Sequence, residues 1–366
     1  MDSDDNPLTK SLKTRHKCSA CYKQYNKKEH LVEHMKVSYH SVHQPKCGIC
    51  MKHCKSFESL REHLTGYLAK DNCCKLFAEV GCNLCIKTFD SSIFLSQHKW
   101  TCRLLPPTRL GPVLLSSTEF KTSLDRSNGC VEHPVRGAIA MDCEMVGGGN
   151  DGTLNICARV CLIDEDENVI FHAYVLPQIP VTDYRSDVTG LTEEHLKDGM
   201  PLKEVQEKIL EILYNGESIG IARLDGGKAK LLVGHSLEHD LDCLKMNYPD
   251  HLIRDTAKYY PLMKTNLVSH SLKYLTKKYL GYDIQIGVHD PYEDCVSVMR
   301  MYKRMRDQDH LSNFDSQCLP ENVTEYLTNE FENHKMKDLE KLTPEELFEM
   351  SRSKYRCWCL DSVKKP

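Results

Sequence analysis

Residues 137–149 read GAIAMDCEMVGGG. Apolar residues fill the segment, as in a strand buried in a sheet, yet Asp142 and Glu144 stand two apart inside it. Alternate residues of a strand share a face. Ile139, Met141, Cys143 and Met145 therefore line one side, and Ala138, Ala140, Asp142 and Glu144 the other. Burying two neighbouring carboxylates without a partner is costly. A cation facing both acids resolves the conflict; an ordinary strand with one wet face is the plain alternative.

Two later segments extend the pattern. LLVGHSLEHDLDCL (231–244) places Asp240 early on a helix that follows a short apolar strand. GVHDPYEDCVSVM (287–299) sets His289 ahead of Pro291, with Asp294 on the next helix. Each acid alone is explained by the favourable helix dipole at an N-terminus. The order is more specific: D-x-E on a strand, then G-H-x-L-x-x-D-L, then H-x-x-x-x-D.

The surrounding sequence has α/β texture. Residues 138–146, 156–164 and 168–176 read as three strands of an antiparallel meander. Residues 202–214 have a helical period, with Val205, Ile209, Ile212 and Leu213 on one face. KLLVGHS and HLIRDT read as short strands; LEHDLDCLKMN, SHSLKYLTKKYLG and PYEDCVSVMRMYKRMR read as helices. Hairpin-linked strands followed by alternating helix and strand predict a mixed sheet with helices on both sides.

The chain has 366 residues, 40% of them hydrophobic and 27% charged, enough for about two domains. No run of about 18 apolar residues occurs, and the N-terminus lacks a signal-peptide core. An intracellular protein without a membrane span is expected. The net charge of −4 is unevenly spread: residues 1–110 sum to +8 and the rest to −12. A basic first third suggests an anion-binding module, or only a solvated lysine surface. Ten of the 19 cysteines lie within residues 18–102. Without a secretory signal, they read as metal ligands rather than disulfides.

Those cysteines recur in three aligned C-x2-C-x12-H units: Cys18, Cys21 and His34; Cys47, Cys50 and His63; Cys82, Cys85 and His98. Leu31, Leu60 and Leu95 each precede the histidine by three residues. Tyr25 and Phe89 follow the second cysteine by four, where the middle unit has Cys54. The pattern resembles Cys2His2-type zinc fingers, small ββα units that depend on Zn²⁺ for folding. His40 offers a fourth ligand to the first finger, on condition that its helix loosens near Ser38. Cys102 completes the third at an i,i+4 spacing. Finger two has Cys73 or Cys74, both beyond the family spacing. The finger starts lie 29 and then 35 residues apart. Such irregular linkers suit RNA, shape or protein recognition as well as DNA reading.

From Gly137 to about Arg306 the chain resembles DEDDh exonucleases with the RNase H-like fold. MDCEMVG, TDYRSDVTGLT, LVGHSLEHDL, RDT and HDPYEDC are similar to the RNA exonuclease 4 and interferon-stimulated exonuclease branch. The fingers ahead of it resemble plant-type members. The resemblance implies two Mg²⁺ or Mn²⁺ ions held by Asp142, Glu144, Asp240 and Asp294, all catalytic, with Asp142 bridging. It implies His289 as the general base, and Met145, Arg185 and His235 as substrate contacts. Glycines 147–149 would form a flexible turn open to a 3′-terminal nucleotide.

The expected organisation is a finger region 14–102, a linker 103–135, a nuclease 136–308 and a helical extension 309–366. Cys357 and Cys359 in the last part are either a metal pair or incidental to a docking helix. The expected function is metal-dependent 3′→5′ trimming of RNA, possibly also of single-stranded DNA, to nucleoside 5′-monophosphates. A finger protein with an inactive nuclease platform and a mainly DNA-directed enzyme are the alternatives. The resemblance implies a nuclear or nucleolar location, otherwise the cytoplasm; it names no protein partner.

Overall fold

The computed structural model describes residues 15–18, 23–38, 43–67, 71–111, 137–218, 227–308 and 356–362. The chain divides into two units, Met1–Phe77 with Asp309–Arg356, and Ala78–Gln308 with Cys357–Pro366. Among the described residues, no helix is long and apolar enough to cross a membrane.

In the first unit, β1 (His16–Lys17) pairs antiparallel with β2 (Gln24–Tyr25), and α1 (Lys28–Ser38) follows. Leu31, Val32 and Met35 turn inward with Cys18, the arrangement expected of the first finger. α1 ends at Ser38; Cys21 and His40 lie outside the described residues. In the second finger, Ser56 caps α2 (Phe57–Thr65) by accepting from Ser59 N–H, and Leu60 and Leu64 are buried. α3 (Asp71–Val80) buries Cys73.

The second unit opens with the third finger, where α4 (Ser92–Cys102) is capped by Ser91. Cys82, Cys85, Leu95 and Cys102 form its small core, flanked by Leu84 and Phe89. The main sheet then begins with β3 (Ala138–Gly148), β4 (Leu154–Ile163) and β5 (Val169–Leu176), an antiparallel meander. Short elements follow: β6 (Val181–Asp183), α5 (Ser186–Thr189), α6 (Glu193–Lys197) and β7 (Met200–Pro201). The periodic segment forms α7 (Leu202–Tyr214), with Val205, Ile209 and Leu213 buried. β8 (Leu231–Gly234), α8 (Leu237–Cys243) and β9 (Ile253–Asp255) come next. α9 (Leu272–Leu275) runs into a π-helical turn, Thr276–Leu280, before α10 (Pro291–Arg306).

The sheet order is β7-β5-β4-β3-β8-β9, with β6 added against β3. β3 pairs antiparallel with β4 and parallel with β8, so the expected mixed sheet is present with β3 inside it. α10 packs on β3 and β4, covering the strand from which Asp142 and Glu144 project.

The glycines correct one expectation. Gly147 and Gly148 are not a free turn: they are buried strand residues paired to both β4 and β6. A Cβ on Gly147 would lie 2.3 Å from the Gly152 carbonyl oxygen, so close backbone approach requires glycine there. Only Gly149, at φ +79°, turns the chain.

The tail segment TPEELFEMSRSKY lies outside the described residues. RCWCLD, by contrast, holds a short 3₁₀ turn, Trp358–Asp361, packed on the second unit. Trp358 stacks on Tyr259 at 3.9 Å between ring centroids. Arg254 grips Asp361 with bonds of 2.6 and 2.7 Å, and the two side chains are 4% and 2% exposed. Removing one member of a buried pair leaves the other charge uncompensated. Arg254→Ala should therefore destabilise this unit by about 3 kcal/mol, read as a lower thermal midpoint and greater denaturant sensitivity.

Candidate active site

The site starts on β3. Its register pairs Asp142 with Cys161 and Glu144 with Arg159 across β4, and paired residues share a face of the sheet. A bulge after Glu144 shifts the register and ends the run of acids. Asp240 comes from the first turn of α8, where Asp255 fixes the geometry. The Asp255 carboxylate accepts N–H bonds from Ser236 at 2.8 Å, Leu237 at 3.2 Å and Ala257 at 2.9 Å. It thereby holds Ser236 at φ +60°, a conformation that needs such support. Asp240 Oδ1 then accepts the Cys143 N–H at 2.9 Å, tying α8 to the acid-bearing strand. Asp294 sits in the first turn of α10, whose cap is Asp290.

Asp294, Asp240 and Glu144 all act on Asp142, and Asp294 acts on Glu144. Burial raises Asp142 well above its ordinary range, and the charges of Asp294, Asp240 and Glu144 raise it further. Glu144 is pushed up to about 8, by burial and then by Asp294, with Arg159 opposing. Asp240 is raised well above its usual range by burial, then by Cys243, against the Cys143 N–H that favours its ionised form. Asp294 is pushed up to about 7 by burial, while the Gln285 amide opposes. The Gln285 amide donates to Asp294 Oδ2 at 2.9 Å. Asp294 Oδ1 is buried without any hydrogen-bond partner among the described residues.

A buried, unpartnered Asp294 oxygen close to Asp142, itself raised by three neighbouring carboxylates, fits hard divalent cations, which prefer oxygen ligands.

His289 lies five residues before Asp294, and its N–H donates to the Val188 carbonyl at 2.7 Å. Burial lowers its affinity for a proton, helped by Lys273 and Arg109 and opposed by Glu293. His235 Nδ1 is 2.9 Å from Thr256 Oγ1, and burial lowers its pKa too. Arg185 binds Asn155 Oδ1 at 2.9 Å and the Gly152 carbonyl at 3.1 Å, bracing the loop beyond β3. Met145 is half-buried at the bulge.

Sequence reading missed the supports. Arg159, 1% exposed, donates to His172 Nε2 at 2.8 Å and lies 3.5 Å from Asp290 Oδ1. A lone arginine inside the apolar run ICARVCLI was the available signal. Asp290, ahead of Pro291, carried a helix-cap signature. Arg109 gave none.

The opposite face of β3 carries sulphur. The Sγ atoms of Cys143, Cys157 and Cys243 all lie within 4.8 Å of one another, buried. Two finger clusters are equally tight: Cys47, Cys50, His63 and Cys73, and Cys82, Cys85, His98 and Cys102. Between the two candidates for the second finger, Cys73 is the one in that group. Cys50 Sγ lies 3.3 Å from His63 Nε2, and Cys85 Sγ 3.1 Å from His98 Nε2. In the first finger, Cys18 is buried and the His34 ring lies 5.1 Å from the Tyr25 ring.

Residues 139–302 match the RNase_T family model, described as Exonuclease. That segment is similar to this exonuclease family. Curated relatives share this segment. RNA exonuclease 4 of Candida glabrata is 36% identical over 181 residues, 48% of this chain and 64% of that protein. RNA exonuclease 4 of Kluyveromyces lactis is 35% identical over 191 residues, 52% of this chain and 58% of that one. The Homo sapiens RNA exonuclease 4 is 37% identical over 173 residues, 47% of this chain and 37% of its own. The chain thus spans less than two thirds of the relatives it matches. Among solved structures, a Saccharomyces cerevisiae Pan2 pseudoubiquitin hydrolase–RNA exonuclease module in complex with AAGGA RNA aligns with TM-score 0.40. That alignment has 21% identity and covers 60% of this chain and 35% of the other.

The raised carboxyl groups of Glu144 and Asp294 set a pH dependence. Groups raised on folding stabilise most below their ordinary values, 3.8 for Asp and 4.5 for Glu, and lose that contribution as they ionise. The metal-free protein should therefore lose stability as pH rises through about 7 and 8, the values of Asp294 and Glu144. Mn²⁺ should restore it at pH 8. Asp142→Asn should raise metal-free stability there by on the order of 1 kcal/mol and abolish the Mn²⁺ effect. Thermal melts across pH, with and without the ion, measure both.

Proposed function

We propose that this chain is a metal-dependent 3′→5′ exoribonuclease that releases nucleoside 5′-monophosphates. One observation carries the reading: the carboxylates of Asp142, Glu144, Asp240 and Asp294 converge from β3, α8 and α10, and one Asp294 oxygen has no protein partner among the described residues. The exonuclease match over 139–302 supports the reaction class. The name of the relatives, RNA exonuclease 4, supports RNA as the substrate.

Asp142, Glu144, Asp240 and Asp294 would hold two Mg²⁺ or Mn²⁺ ions. When bound, the ions activate the attacking water and stabilise charge on the leaving oxygen. His289, held neutral near pH 7 by burial and its cationic neighbours, accepts the proton that the attacking water gives up. Met145, Arg185 and His235 line the approach to β3 and meet the terminal nucleotide. The fingers bind Zn²⁺ and gather the strand; Cys73 is the fourth ligand of the second and Cys102 of the third. Cys21 and His40 complete the first. A nuclear or nucleolar site of action agrees with RNA processing.

The test is digestion of matched 3′-labelled RNA and DNA oligonucleotides. Wild-type protein should shorten RNA from its 3′ end, lose activity in EDTA and regain it with Mn²⁺. Asp142→Ala should be slower by at least roughly 10²-fold. Faster trimming of DNA than of RNA would reassign the substrate. Full activity in Asp142→Ala would reject the mechanism.

Cobalt(II) replacing zinc gives a separate readout for the fingers. Thiolate-to-cobalt absorption should appear in the full chain and weaken in Cys82→Ser, because this charge-transfer band requires bound sulphur. An unchanged spectrum excludes the third site.

A further inference from the structure

Residues 103–111, RLLPPTRLG, lie outside the 139–302 segment that matches the exonuclease family. They are nevertheless fastened along the nuclease. The Leu104 N–H donates to the Leu280 carbonyl at 3.1 Å, and Arg300 Nη1 donates to the Leu105 carbonyl at 2.7 Å. The segment then reaches the first turn of α10. There Arg109 holds both carboxylate oxygens of Glu293, Nε to Oε1 at 3.2 Å and Nη2 to Oε2 at 3.0 Å. Its Nη1 donates to the Ile286 carbonyl at 3.2 Å. Two residues on, the Gly111 N–H donates to Asp290 Oδ2 at 2.9 Å, and the Gly111 carbonyl accepts from Arg159 at 2.9 Å.

These anchors surround the loop that carries His289. Glu293 Oε2, besides binding Arg109, accepts the Gln285 N–H at 3.0 Å. The Gln285 side chain donates in turn to Asp294 Oδ2 at 2.9 Å. Contacts thus run from Arg109 through Glu293 and Gln285 to a metal-ligand carboxylate. The loop's conformation needs outside support: Gln285, at φ +55°, sits in the left-handed region that non-glycine residues disfavour, and Gly287 follows at +78°. A planar guanidinium bonded at three points fixes direction as well as distance.

We propose that Arg109 is a positioning residue of the nuclease site, setting the His289 loop and the Asp294 carboxylate from outside the domain that bears them. The inference rests on the functional reading above. A strap that merely glues the fold together alters stability alone. A strap that sets geometry alters turnover more than substrate binding, because small misplacements of reacting groups slow chemistry steeply.

The experiment compares full-length wild type, Arg109→Ala and Arg109→Lys on 3′-labelled RNA with Mn²⁺, alongside thermal melts. Arg109→Ala should lower kcat roughly tenfold and leave KM within about twofold. Arg109→Lys, which keeps the charge and loses the fork, should fall between. The charged groups bearing on His289 are Lys273, Arg109 and Glu293. With Arg109 removed, Glu293 favours the protonated imidazole, so the acid limb of kcat should move to higher pH. An unchanged kcat and acid limb per folded molecule in Arg109→Ala, whatever its melting temperature, overturns this inference alone. A wild-type chain that trims no RNA overturns the functional reading and this inference together.

Discussion

The negative charge that Glu144, Asp240 and Asp294 bring to Asp142 is the constraint on which the second unit depends. Asp142, Glu144, Asp240 and Asp294 would each be easier to accommodate in water, and each raises the proton affinity of at least one other or is raised by burial itself. Folding holds them together because three structural elements are fixed independently of the acids. β3 is paired on both edges. α8 is started by the Asp255 carboxylate. α10 is started by Asp290.

The compensation is asymmetric. Arg159 is the one cation that lowers Glu144, and it also lies against Asp290. One buried guanidinium therefore serves the strand that bears Asp142 and Glu144 and the cap of the helix that carries Asp294. Buried ion pairs of this kind seldom add much net stability. Here the pair orients an arrangement whose remaining negative charge is left for cations to neutralise.

The sheet and its helices were legible because apolar periodicity is a property of local sequence. The meander, α7, β8, α8 and α10 all lie within a few residues of their predicted bounds. The acids stood out because carboxylates break an apolar pattern, and Cys82, Cys85, His98 and Cys102 did so through spacing. Other features have no local signature. The long reach from His63 to Cys73 depends on where α3 begins. The need for glycine at 147 comes from the carbonyl of Gly152, a neighbour visible only in three dimensions. Arg109 looks like one more basic residue in a proline-rich linker until its carboxylate partner, Glu293, is placed beside it.

The third finger has a consequence for modularity. Its last ligand candidate, Cys102, offers its carbonyl to Arg304 of α10, which also binds the Tyr279 carbonyl. Gly281 at the end of the π-helical turn would strike Leu84 and Arg103 if it carried a side chain. Sequence similarity draws a border at residue 139, but cooperativity does not respect it. The third finger segment must drift in step with the helix beneath it, because a change at Cys102 or Leu84 is felt at Arg304 and Gly281.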